Sequence, residues 1–384
     1  MITTGIFFKN FKLKKNQLNI KKKLKSLIND EDFVINSLRN NYKDNFKKKN
    51  LKIYNNYKDV RIIGMGGSSL GTQAIYNFLK HKIKKNFTFI NNLSPVKKIS
   101  KRKKYLNLIV SKSGNTIETI VNSNIYVKKN DKNIFITENK KNYLHELAKK
   151  LKAEIIHHNN FIGGRYSVLS EVGMLPAELM GLNSKKFRQF NNLIKNKKYL
   201  NALISNVSAI IYFIKKKKFN SIIINYDKKS EDLFSWYQQL VAESLGKNKT
   251  GILPILSNMP KDNHSVMQLY LDGFKTNFFT FFYTHENSYS KILGKNILPS
   301  HKFISKNNIS DITFSQKKAT EIVFNLKNIP FRSFEIKKRD EKTLGELFCF
   351  FILETILIGR ALKVNPYNQP AVELIKKETK KLLI

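Results

Sequence analysis

The fold that this sequence predicts is α/β: two three-layer domains on mainly parallel sheets, with helical segments at both ends. Three observations lead there. Short, continuous apolar runs alternate with amphipathic stretches, the pattern of parallel strands covered on both faces by helices. The alternation runs through two successive cycles, and 384 residues are enough for two domains. Finally, turns rich in glycine and serine follow directly on the ends of the first apolar runs, where a strand must hand over to a helix.

Residues 1–58 are polar and lysine-rich, and Leu24, Leu27, Ile28, Phe33, Ile35 and Leu38 recur at helical spacing, so they read as a helical lead-in. The first domain is expected over 59–185. Its strands are the runs Val60 to Ile63, Phe87 to Ile90, Leu106 to Val110, Ile134 to Thr137 and Glu154 to His157. Helix-like segments Thr72 to Leu79, Asn115 to Val127 and Tyr143 to Leu151 lie between them. The second domain, 186–340, opens with a helix-like Phe187 to Ile214. It continues through Ser221 to Asn225, a helix-like Asp232 to Ser244, Ile252 to Leu256, Phe278 to Tyr283 and Ile329 to Ile336. Residues 341–384 form two helices, Leu344 to Val364 and Pro370 to Leu383. The Asn365-Pro366 step divides them, because the residue before proline is pushed out of the helical region.

Composition narrows the function classes. A hydrophobic fraction of 41% is ordinary for a globular protein with sizeable cores. The first 15 residues lack the apolar core of a secretory signal, and Leu347 to Ile358, interrupted by Glu354, falls short of the roughly 18 residues that a spanning helix needs. A buried core helix and a cytoplasmic location are therefore expected, with no membrane partner. The lone cysteine, Cys349, lies in that apolar stretch and reads as a buried structural thiol. A net charge of +42 would attract a polyanion, but only eight of the 70 basic residues are Arg and the lysines are spread through the chain. Without a patch or interleaved aromatics no nucleic-acid partner is expected; runs such as Lys21-Lys22-Lys23 are solvated faces.

Two turns carry chemistry. Ser111-Lys112-Ser113-Gly114-Asn115-Thr116 places hydroxyls and an ammonium between a buried strand and a helix N-terminus, a cradle suited to phosphate. Gly64-Met65-Gly66-Gly67-Ser68-Ser69-Leu70-Gly71 repeats the strand–turn–helix arrangement. It departs from the dinucleotide fingerprint, with Ser at 69 and Asn91-Asn92 where an acidic residue is needed, so NAD is excluded. Two such turns on neighbouring parallel strands would face one crevice and hold a phosphorylated small molecule.

Other residues gain meaning only together. Arg165 follows Gly163-Gly164, and its planar fork suits an oxyanion. Alone, Glu243 is a solvated helix residue, His264 a loop histidine and Lys376 the polar face of a terminal helix. In order, however, Gly64 to Gly71, Ser111 to Thr119, Gly163 to Ser170, Gln239 to Lys247, His264 with Gln268-Leu269, and Gln369 to Lys376 resemble the glucose-6-phosphate isomerase family. The resemblance covers roughly residues 60–384.

That resemblance implies two sugar-isomerase-type α/β domains, and an active site between them completed by a neighbouring subunit of a homodimer. It implies interconversion of glucose 6-phosphate and fructose 6-phosphate, in glycolysis and gluconeogenesis, without metal or organic cofactor. Gly67, Ser68, Ser111, Lys112, Ser113 and Thr116 would hold the phosphate, with Gln369 nearby. Glu243 would shuttle a proton between C2 and C1 through a cis-enediol, Gln239 would position it, and Arg165 would stabilise the enediolate. His264 and Lys376 would open the sugar ring, His264 from across the dimer interface. The chemistry suits these residue types: aldose–ketose exchange needs a carboxylate that takes and returns one proton, a cation near the enediolate, and an acid–base pair. The Ser113-Gly114-Asn115-Thr116 core is also similar to bifunctional glucose/mannose-phosphate isomerases, which leaves the epimer open. A non-catalytic sugar-phosphate-binding module is the alternative class; it gives no reason for Glu243, Arg165, His264 and Lys376 to occur together.

Overall fold

A computed structural model describes residues 1–13, 18–95, 104–128, 131–286 and 296–384. Its first elements are a strand β1 (Ile6–Lys9) and helices α1 (Leu18–Asn29) and α2 (Phe33–Ser37). The expected helical lead-in thus begins with a strand, and its residues 14–17 lie outside those described. β1 forms because Ile6 is buried and Phe8 packs on Phe334 and Phe350, so the segment closes the edge of a sheet built far downstream.

The first cycle gives β2 (Asp59–Ile63), α3 (Leu70–Phe78), β3 (Asn86–Ile90), β4 (Leu106–Val110), α4 (Ile117–Tyr126), β5 (Lys132–Glu138), α5 (Tyr143–Lys150) and β6 (Glu154–His158). These strands pair in the order β3-β2-β4-β5-β6, every pair parallel. Each of the expected strands and helices is present. β4 is buried along its whole length, as a strand covered on both faces must be. Its one polar member, Asn107, donates to Asp131 Oδ2 at 3.2 Å and Asn133 Oδ1 at 2.8 Å.

Between the cycles lie α6 (Glu171–Leu179), α7 (Phe190–Leu193) and α8 (Lys197–Lys215). The single helix expected over 187–214 is therefore two, because the Asn196 side chain accepts from Tyr199 N and starts α8 afresh. The second cycle gives β7 (Asn220–Asn225), α9 (Glu231–Leu245), β8 (Leu253–Asn258), α10 (Met267–Asp272), β9 (Asn277–Thr284), α11 (Ile309–Leu326) and β10 (Phe331–Ile336). Its sheet runs β1-β10-β9-β7-β8, parallel except for β1. α11 was not anticipated, although the box Asn308/Asp311 that caps it stands in the sequence.

α12 (Glu341–Leu362) and α13 (Pro370–Leu383) end the chain. α12 is the buried core helix expected from its composition; among the described residues no helix is long and apolar enough to cross a membrane. Cys349 lies within it, and burial pushes its thiol up to about 12. Glu354, the charge inside that apolar run, is fully buried and pairs with Arg332, while Tyr237 donates to it at 3.0 Å and Arg332 also donates to Asn206 at 2.8 Å. A buried charge is tolerable on such terms, because leaving it unpaired costs several kcal/mol, on the order of 3–5.

Candidate active site

β2 and β4 are neighbours, so the turns that leave their carboxyl ends meet. A side chain at Gly64 would lie 2.7 Å from the Val110 carbonyl oxygen, which ties the first turn closely to the strand that feeds the second. In the second turn Ser111 is buried, and its Oγ lies 3.0 Å from Thr116 Oγ1. Thr116 is the N-cap of α4, yet its hydroxyl faces Ser111 and not the helix end. Gly114 takes φ +66°, and a Cβ there would meet the Asn142 side chain at 1.9 Å. Asn142, the N-cap of α5, thus sets the inner wall of this turn, and Asn115 accepts from Tyr143 N at 3.0 Å. The Lys112 carbonyl accepts from Glu138 N and Thr137 Oγ1 at 3.0 and 3.2 Å, and burial lowers the pKa of its ammonium. Ser113 is exposed at the rim.

The first turn continues into the rest of the site. A Cβ on Gly67 would sit 2.1 Å from the Gly164 carbonyl carbon and 2.5 Å from Arg165 N, so the two glycine turns touch backbone to backbone. This contact seats Arg165, which is 1% exposed. Its Nε donates to Ser244 Oγ at 2.8 Å, Nη1 to Glu243 Oε2 at 3.1 Å and to Gln369 Oε1, and Nη2 to the carbonyls of Pro366 and Asn368 at 2.8 and 3.1 Å. Trp236 Nε1 donates to the Arg165 carbonyl at 3.1 Å. Tyr166 bonds the same Ser244 hydroxyl, and burial pushes its phenol up to about 12, keeping it a neutral donor.

Glu243 projects from the last turn of α9 with 26% of its side chain exposed. Gln239, four residues earlier and therefore on the same face, donates from Nε2 to Glu243 Oε1 at 2.9 Å. Its own Oε1 is buried with no hydrogen-bond partner among the described residues, an acceptor in need of a donor. Gly66, at φ +52°, packs against this amide. Glu243, Lys247, Asn368, Gln369 and the first turn of α13 border a cavity of about 700 Å³.

The fold therefore brings Gly67, Ser68, Ser111, Lys112, Ser113 and Thr116 to one end of the first sheet, and gathers Arg165, Gln239, Glu243 and Gln369 beside them. Gln369 reaches Arg165. His264 and Lys376 are not brought to Glu243. His264 is exposed on the turn Lys261–His264 after β8, and Lys376 is exposed on α13, paired with Glu373 Oε1 at 2.6 Å. Ser244, Tyr166, Trp236 and Asn142 were missed. Each acts through a neighbour in space that local sequence does not reveal, although Ser244 directly follows Glu243. Near the site, burial followed by the Asp32 charge pushes the Tyr367 phenol up.

Comparison with known proteins gives the chain's descent and fold. A profile described as phosphoglucose isomerase matches residues 40–383. A glucose-6-phosphate isomerase of Methanocaldococcus jannaschii is 36% identical over 354 residues, covering 88% of this chain and 86% of its own. Among solved structures, a hypothetical protein from Thermus thermophilus superimposes with a TM-score of 0.83 at 20% identity, covering 96% of this chain and 94% of the other. A glucose-6-phosphate isomerase from Chlamydia trachomatis gives 0.74 at 19% identity, covering 97% and 75%. At such identities the structures speak for the fold, while the profile and the archaeal relative speak for descent: the chain belongs to the phosphoglucose isomerase family.

Proposed function

We propose that this protein interconverts glucose 6-phosphate and fructose 6-phosphate. The observation that carries the reading is the Glu243 carboxylate, oriented by Gln239, paired with a buried Arg165 and open to a cavity of about 700 Å³. The phosphate sits on Ser68, Ser111, Lys112, Ser113 and Thr116, and the sugar extends towards α9. With the ring open, Glu243 takes the proton from C2 of the aldose. The C2–H electron pair forms the C1=C2 bond of the cis-enediol as O1 gains a proton, and Arg165 balances the charge that develops on its oxygens. O2 then gives up its hydroxyl proton as its carbonyl forms, and Glu243 returns the carried proton to C1. A sugar hydroxyl supplies the donor that Gln239 Oε1 lacks. Ring opening falls to His264 and Lys376 as acid–base partners.

The reading includes a homodimer, with His264 supplied by the second copy. In support, α13 leaves Val372, Leu374, Ile375, Leu382 and Leu383 exposed, and His264 does not border the cavity. Mixed Glu243→Gln and His264→Ala chains are then expected to regain activity that neither has alone, measured after co-refolding. Failure of every mixture would remove the shared site.

The activity itself is tested by supplying fructose 6-phosphate to the purified protein and reading glucose 6-phosphate and mannose 6-phosphate separately. Glucose 6-phosphate is expected, and the mannose channel decides whether the enzyme is bifunctional. Ser111→Ala is expected to raise KM about tenfold or more with kcat little changed, since a hydrogen bond to a charged group contributes about 1.5–3 kcal/mol in ground and transition states alike. A fall in kcat at constant KM would contradict the cradle.

A further inference from the structure

We propose that Lys247 is a positioning residue for this reaction: its ammonium latches the segment between α12 and α13 onto the end of α9, and so fixes the Arg165 guanidinium beside Glu243. The inference rests on the roles given above to Glu243 and Arg165.

Three of the acceptors around Arg165 belong to that segment: the carbonyls of Pro366 and Asn368, and Gln369 Oε1. The position of residues 365–369 therefore decides where the guanidinium points. Little downstream can hold them, because α13 is exposed from end to end. Within the segment, Tyr367 N bonds Asn365 Oδ1 at 2.9 Å, and the Tyr367 ring lies 5.7 Å from that of Tyr166. Tyr166 Oη donates to the Pro366 carbonyl at 3.1 Å, and from the turn after α9 Lys247 Nζ donates to the Asn365 carbonyl. Its base is firm: Lys247 N bonds Thr250 O at 3.0 Å and Thr250 N bonds Lys247 O at 2.9 Å, closing a tight turn through Asn248 and Lys249 at φ +52° and +58°. Lys247 stands four residues after Glu243 and borders the same cavity, so one helix end carries both the carboxylate and the latch.

The charged groups that face Lys247 are Glu243 on α9, Arg165 across the site and Lys249 in its own turn; the facing segment adds uncharged Asn365, Asn368 and Gln369. Burial, followed by repulsion from Arg165, lowers its pKa to about 8, and Glu243 offsets part of this. Since this folded value lies below the ordinary one, the latch is mostly charged at neutral pH and loses its charge as pH rises through about 8.

The test is kcat and KM for fructose 6-phosphate across the pH range in wild type, Lys247→Met and Lys247→Arg, with thermal midpoints alongside. Lys247→Met is expected to lose about 10- to 100-fold in kcat while KM moves less than about threefold, the signature of a misplaced group that acts in the transition state. Lys247→Arg is expected to keep most of the activity and to carry the alkaline limb well above the wild-type value. Wild-type turnover in Lys247→Met, or a limb that stays near pH 8 in Lys247→Arg, would overturn the latch. If Lys247→Met does not fold, the Lys247→Arg profile decides. A wild-type protein that makes no glucose 6-phosphate overturns the isomerase reading, and the latch with it.

Discussion

Glu243→Gln is expected to lower turnover by about 10²–10⁴-fold while sugar-phosphate binding persists, that range being the usual contribution of a positioned general base. The substitution keeps the shape and the Gln239 contact but removes the group that takes and returns a proton. Arg165 loses an anionic partner at 3.1 Å and keeps its other acceptors, Ser244, Gln369 and the carbonyls of Pro366 and Asn368. The fold should therefore survive. Steady-state rates with fructose 6-phosphate, alongside a calorimetric titration with the same sugar, separate the two effects. Turnover at the wild-type level would remove Glu243 as the base.

Gly67→Ala is expected to be nearly as damaging although it removes no reactive group. The added Cβ would meet Gly164 C at 2.1 Å, Gly164 O at 2.4 Å and Arg165 N at 2.5 Å. All three atoms are backbone, so the contact cannot be relieved by rotating a side chain. The turn that carries Arg165 must move, and a displacement of about 1 Å at a catalytic group can cost 10²-fold in rate. Overpacking adds a stability loss of about 1–3 kcal/mol. The checks are kcat and the urea midpoint of the variant beside those of Gly163→Ala, where a Cβ would meet only the Tyr166 ring, at 4.0 Å. Equal behaviour of the two variants would contradict the backbone contact as the seat of Arg165.

The fold was largely legible because its central strands, such as β4 and β9, are buried on both faces. Runs such as Leu106 to Val110 need no long-range information to be recognised. β1 was not legible, since four residues acquire their role only by pairing with β10, some 330 positions away. The two turns that leave β2 and β4 were legible from glycines and hydroxyls beside strand ends. What pairs with Arg165 was not: Ser244, Pro366 and Asn368 meet it only after the second cycle and the C-terminal segment fold back on the first. Lys247 illustrates the same limit. Within a chain of net charge +42 it reads as one more solvated lysine, and only its place at the cavity and on the Asn365 carbonyl distinguishes it.

The most direct measurement is fructose 6-phosphate turnover in deuterium oxide, following C2 of the glucose 6-phosphate formed by wild type and by Glu243→Gln. Proton transfer by a carboxylate that exchanges with solvent predicts deuterium at C2 with wild type, and a loss of both product and label in the variant. Product, labelled or not, formed equally fast by Glu243→Gln would contradict the central claim that Glu243 carries the proton between C1 and C2.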